Sequence, residues 1–132
     1  MVNRVRFSIA HELGHFVLHR DVYQNIAHAS VEDWIEFVQR VPEDQWGYME
    51  QHAYEFAGRL LVPRDRLKAE LQVHVQAAEG AGFTAWDTSG DAALEYVAGP
   101  LARVFGVSSQ VIEKRLTREG LWPPGTAREA AK

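Results

Sequence analysis

The sequence predicts a mainly α fold with few or no strands, ending in a helix-turn-helix-like helical pair. Three observations carry that prediction. Apolar residues recur at helical spacing in successive segments between residues 3 and 118. Pro42, Pro63, Gly99-Pro100 and Gly120 punctuate those segments where helices should start or stop. Extended character is confined to a short piece, Phe83-Trp86, within a turn-rich stretch. A length of 132 residues fits one domain.

The first helix is expected from an N-cap at Asn3 to about Arg20, and it contains His11-Glu12-Leu13-Gly14-His15. Residues four apart share a helix face, so both imidazoles can reach one metal ion. Glu12 lies about 100° around the helix from His11, placed to take a proton from water without being a ligand. This is the arrangement of a zinc hydrolase: two His ligands and a Glu base. The competing reading is a solvent-facing helix rich in His and Glu. Against it, Phe7, Ile9, Ala10, Leu13, Phe16, Val17 and Leu18 cover most of the rest of the wheel. A helix apolar all round is expected to be buried, and buried His and Glu need partners. Gly14 costs about 1 kcal/mol relative to Ala in mid-helix, tolerable where another backbone packs closely.

Residues 21–29 read as a loop. Ser30-Val31-Glu32-Asp33 resembles a capping box and opens a short helix through Trp34, Ile35, Phe37 and Val38, ended by Pro42. A helix follows over residues 48–61, and Pro63 begins another over residues 64–78. Further helices are expected at 91–98, 101–105 and 109–118, with Gly99-Pro100 as a break and Gly120 as the final cap. Residues 123–132 read as a loose tail.

Composition bounds the setting. There is no Cys, hence no disulfide framework and no thiolate metal site, and a cytoplasmic location is expected. The N-terminal apolar stretch is interrupted by Arg4, Arg6, His11 and Glu12, unlike a signal peptide. No apolar run approaches the ~20 residues that span a membrane. Residues 1–99 hold 8 Lys/Arg against 15 Asp/Glu, whereas residues 100–132 hold 6 against 3. An acidic body with a mildly basic end does not suggest general affinity for nucleic acid.

A catalytic zinc site usually takes a third protein ligand. His19 is one more step of four along the helix, but about 12 Å of axial rise separates it from His11. It reads instead as a supporting or helix-end residue, where positive charge suits a helix C-terminus. The helix over 48–61 offers Glu50, which falls with Ala53, Tyr54, Ala57, Leu60 and Leu61, while Gln51, His52, Glu55 and Arg59 fall opposite. A carboxylate aimed with the apolar stripe needs a compensating charge, which a metal held by two His supplies. The alternative is a Glu favoured simply by the first helical turn.

Two stretches together resemble the ImmA/IrrE family of metallo-endopeptidases. They are Arg6-Phe7-Ser8-Ile9-Ala10-His11-Glu12-Leu13-Gly14-His15-Phe16-Val17-Leu18-His19 and Glu50-Gln51-His52-Ala53-Tyr54-Glu55-Phe56-Ala57-Gly58-Arg59-Leu60-Leu61-Val62-Pro63. By position, the resemblance implies zinc ligands His11, His15 and Glu50, and catalytic base Glu12. It also implies a reduced α+β, thermolysin-like zincin core and a protein substrate, a helix-turn-helix repressor. The expected division is a zinc peptidase-like core over 1–98, a helical element packed on it over 99–122, and the tail. Family members carry some tens of residues before the motif helix, which supply strands and a substrate edge. Here ten residues precede His11, a departure that bears on substrate binding more than on metal binding.

Residues 101–116 read like a helix-turn-helix, with Ala102, Gly106 in the turn and Ile112 facing it. Ser109, Gln110, Lys114 and Arg118 could then contact DNA. The competing reading is a helical hairpin packed on the core, and thin positive charge predicts weak DNA binding by the chain alone. Two function classes follow: a zinc endopeptidase acting on a regulatory protein, or a non-hydrolytic regulator binding DNA or a repressor. Tyr54, Tyr48, His19 and His28 are candidates to stabilise the oxyanion.

Overall fold

The computed structural model describes residues 1–24 and 30–125. Those residues form seven helices and no strand: α1 Val2–Leu18, α2 Arg20–Gln24, α3 Val31–Arg40, α4 Glu43–Leu61, α5 Arg64–Gly80, α6 Gly90–Phe105 and α7 Ser109–Arg118. The fold is mainly α. No helix among the described residues is long and apolar enough to cross a membrane.

The chain divides into two compact units, Met1–Phe7 with Gly58–Lys132, and Ser8–Ala57. The division falls inside α1 and α4.

The first unit holds an apolar core. Leu67, Leu71 and Val75 line α5 at helical spacing and meet Val97, Leu101 and Phe105 of α6 and Val111, Ile112 and Leu116 of α7. Arg115 is buried among them, and its Nε and Nη2 both donate to the Val62 carbonyl, at 3.1 and 3.0 Å. Its Nη1 also donates to Glu119, one turn on. Arg6 anchors the start of the chain by donating to the Phe105 and Gly106 carbonyls at 2.9 and 2.7 Å. Gly106 stands there with φ +64°, and a Cβ would fall 2.2 Å from Arg6 Nη1. The positive φ favours glycine at this turn, and a side chain there would also displace the Arg6 guanidinium.

Among the described residues of the second unit, Ala10, Ala53 and Ala57 are buried, together with two histidines, His15 and His19. A Cβ on Gly14 would sit 3.0 Å from the Ala53 carbonyl oxygen, so the backbones of α1 and α4 meet there. An aromatic series, Tyr23–Trp34–Phe37–Trp46, links α2, α3 and α4 with ring centroids about 6 Å apart.

Several elements depart from expectation. Asn3 lies inside α1 rather than capping it, and α1 stops at Leu18. Part of the expected loop after Arg20 is helical, as α2, while its residues 25–29, with His28, lie outside the described residues. α4 starts at Glu43 because the Pro42 carbonyl accepts from the Gln45 and Trp46 amides, and Glu43 and Asp44 favour a helix N-terminus. Phe83-Trp86 is not a strand. Gly99-Pro100 does not break the helix: α6 runs through it. Gly99 has no Cβ to clash with the proline ring, and buried Val97, Ala98, Leu101 and Ala102 hold both halves in the core. At the other end Gly120 takes φ +65°, and the Leu121 amide closes on the Leu116 carbonyl, the expected glycine stop. The end of the tail, residues 126–132, lies outside the described residues.

Candidate metal centre

Helix α1 presents His11 and His15 one turn apart, with ring centroids 4.7 Å from each other and nearly perpendicular. Glu50, on α4, closes the group. Its Oε2 lies 3.1 Å from His11 Nε2 and its Oε1 2.9 Å from His15 Nε2. One ligand atom from each residue can be chosen so that all three lie within 4.8 Å of one another. Two imidazole nitrogens and one carboxylate oxygen make a donor set that suits a tetrahedral ion with one position left over. The residues therefore fit a metal.

The close approach of Gly14 to Ala53 brings the two helices near enough for this. Any side chain at Gly14 would push α4 away from the turn that carries His15.

The contact with His19 is compatible with the ligand form of His15. Its Nδ1 is 3.0 Å from Nδ1 of His19, and both rings are buried. One of those nitrogens must donate and the other accept. With His15 Nδ1–H as donor, its Nε2 carries the lone pair and faces Glu50 and His11. Burial pushes His19 below the ordinary histidine range, and positive charge on His15 and His52 adds to that, with Glu50 opposing. The lowered pKa favours the neutral ring, and of the two roles expected for His19 the contact with His15 matches the supporting one. A neutral ring is what an acceptor at Nδ1 requires.

Glu12 is not part of the converging trio. It is 76% exposed, and its Oε1 lies 3.3 Å from Nδ1 of His11, on the far side of that ring from Glu50. It is a second carboxylate beside the group whose oxygens face solvent.

Glu50 reaches His11 and His15, but its side chain is 56% exposed rather than sunk into a core, while Glu55, placed opposite by the wheel, is half-buried. His52 differs from expectation. Placed on the polar side by the wheel, it stacks at 6.3 Å on His19 and lies 6.4 Å from Tyr48. Tyr54 is half-buried on α4.

One residue escaped the sequence reading. The Tyr23 ring packs edge-on against His15 at 6.4 Å, and burial, then Glu50 and Glu12, push its hydroxyl above the ordinary tyrosine range. It keeps its proton and remains a donor. The signal was present, since Tyr23 continues the four-residue step from His11 through His15 and His19. The Tyr23 amide reaches the His19 carbonyl at 3.2 Å, as a continued helical step would require.

A family model described as Peptidase_M78: IrrE N-terminal-like domain matches residues 1–117. No curated protein and no solved structure matches the chain.

Proposed function

The chain belongs to the Peptidase_M78 family as an IrrE N-terminal-like domain, and from this membership and its metal-site geometry we propose that it is a zinc-dependent endopeptidase. The observation that carries the proposal is the convergence of His11, His15 and Glu50, with Glu12 beside them and outside the trio. His11, His15 and Glu50 would hold the zinc, which when bound supplies Lewis acidity towards water and a peptide carbonyl. Glu12 takes the proton from the attacking water and passes it to the departing amine. Its exposure leaves it free to turn towards water, while His19 keeps the His15 ring in orientation. Tyr23, protonated and beside His15, donates to the carbonyl oxygen as negative charge grows there.

The substrate in this reading is a regulatory protein of the helix-turn-helix repressor type, as the family resemblance implies. DNA binding has little part in it, since the positive charge along residues 101–118 is thin.

Glu12→Gln should retain a full complement of zinc and lose cleavage of a verified substrate by several orders of magnitude, because an amide cannot accept the proton. Tyr23→Phe should lower kcat by roughly 10²-fold with little change in KM, the pattern of a lost oxyanion donor. Metal content and peptide-bond cleavage, measured on the same samples, check both. Near wild-type cleavage by Glu12→Gln removes the residue as base. A zinc-loaded wild type that cleaves no repressor would favour the non-hydrolytic regulator.

A further inference from the structure

Tyr23 has little backbone to hold it. It stands in α2, a helix of five residues with none buried, and its amide donates to the His19 carbonyl at 3.2 Å. A helix so short is marginal in water by itself, so the place of the Tyr23 ring must be set by what its side chain touches. It packs edge-on against His15 at 6.4 Å, and Trp34 of α3 stacks on it at 6.1 Å with the ring planes 24° apart.

Trp34 is held in turn. Ser30 caps α3 by accepting from the Asp33 amide at 3.2 Å. Phe37, one turn on, lies 5.7 Å from the Trp34 ring, and Trp46 of α4 meets Phe37 edge-on at 6.2 Å. The Trp46 indole N–H donates to the Val38 carbonyl at 3.2 Å, which ties the end of α3 to α4. Trp46 and Glu50 are four residues apart on α4 and so share one face. Glu50 Oε1 in turn lies 2.9 Å from His15 Nε2. The contacts therefore close on themselves, from Glu50 through His15, Tyr23, Trp34, Phe37 and Trp46 back to the helix of Glu50.

Burial does not explain this circuit. No residue of α2 or α3 is buried, and Trp34 is 37% exposed. Its direction is more telling. Besides burial, the Glu50 and Glu12 carboxylates resist loss of the Tyr23 proton, so both lie within electrostatic reach of its hydroxyl. The circuit thus keeps a donor beside the metal-site residues.

We propose that Trp34 is a positioning residue of the metal centre, its indole face holding the Tyr23 ring against His15 as the oxyanion donor of the zinc-peptidase reading. Its part in catalysis rests on that reading, whereas the hold on Tyr23 does not.

The test uses the full zinc-loaded chain with ¹³C-labelled aromatic rings, and Tyr23→Phe assigns the Tyr23 signals by their disappearance. In the wild type an NOE should join the Tyr23 and Trp34 rings, and the indole ring current should displace the Tyr23 ring protons. Trp34→Leu, which keeps bulk and loses the flat face, should return those protons to ordinary tyrosine positions with zinc still at one equivalent. Trp34→Phe should keep part of the displacement. On a verified substrate Trp34→Leu should lower kcat roughly three- to tenfold with KM little changed, the size expected of one aromatic pair, and Trp34→Phe should restore most of it. In a Tyr23→Phe background Trp34→Leu should cause no further loss. No NOE between the rings, Tyr23 signals that ignore Trp34→Leu, or the same loss of kcat in both backgrounds would each overturn the proposal. The NOE needs no variant, so it decides even if a substitution unfolds the chain. A zinc-loaded wild type that cleaves nothing sinks the hydrolytic reading instead, and the NOE and ring shifts still decide whether Trp34 holds Tyr23.

Discussion

At Gly14 a hydrogen atom stands where a methyl group would enter the backbone of α4. A Cβ there would meet the Ala53 oxygen at 3.0 Å and the Ala53 Cα and Phe56 ring at 3.1 Å. Gly14→Ala gains about 1 kcal/mol of helix propensity, but overpacking costs about 1–3 kcal/mol, and here the obstacle is backbone that cannot turn aside. The variant should melt below the wild type and bind zinc more weakly, as the helix carrying His15 moves off α4. A melting curve and a zinc titration check this, and an unchanged melt would show that the helices can separate freely. Two residues of identical chemistry on α4 isolate direction from charge. Glu50→Ala should lower zinc affinity by orders of magnitude, whereas Glu55→Ala should leave it nearly unchanged. Equal losses would mean that acidic charge, not the contacts to His11 and His15, matters. His52 is a poor control for this comparison, because it stacks on His19.

At the scale of elements, Arg115 carries the most. It is 5% exposed and joins α7 to the Val62 carbonyl at the end of α4, while Glu119 receives both Arg115 and Arg64. Arg115→Met keeps the stem but leaves a buried carbonyl without its donors, and should cost about 2–3 kcal/mol in denaturant unfolding. A loss below 0.5 kcal/mol would show that water replaces the guanidinium. On the helical wheel Arg115 falls between Val111 and Ile112, inside the apolar face, so its burial was legible in the sequence but its partner, the Val62 carbonyl, was not. The helices themselves were legible, because periodicity and the prolines and glycines report local conformation directly. What misled was any rule that stops at one residue. Pro100 reads as a breaker, yet Gly99 before it and four buried neighbours keep α6 whole. Likewise α1 reads as buried all round, but Ile9 and Phe16 are 64% and 61% exposed. Its covered side is the one with small residues, Ala10 and Gly14, together with His15. Hydrophobicity says that a face is apolar; side-chain size says which face another helix can approach.

For the molecule as a whole, one unit carries an apolar core and the other carries polar function on a scaffold of alanines and glycine. The convergence of His11, His15 and Glu50 was readable from sequence, because the two His share a face of α1 and Glu50 falls with the apolar stripe of its helix. Its support was readable only in part: His19 and Tyr23 continue the four-residue step from His15, whereas His52 arrives from α4. Spacing along one helix cannot report a ring that arrives from another. The central claim is that His11, His15 and Glu50 together make a single metal site, and zinc itself tests it most directly. Metal-free protein should take up one equivalent of zinc, and X-ray absorption at the zinc edge should show two imidazoles, a carboxylate oxygen and no sulfur around the ion. Uptake well below one equivalent, or a coordination shell without two imidazoles, would contradict the account.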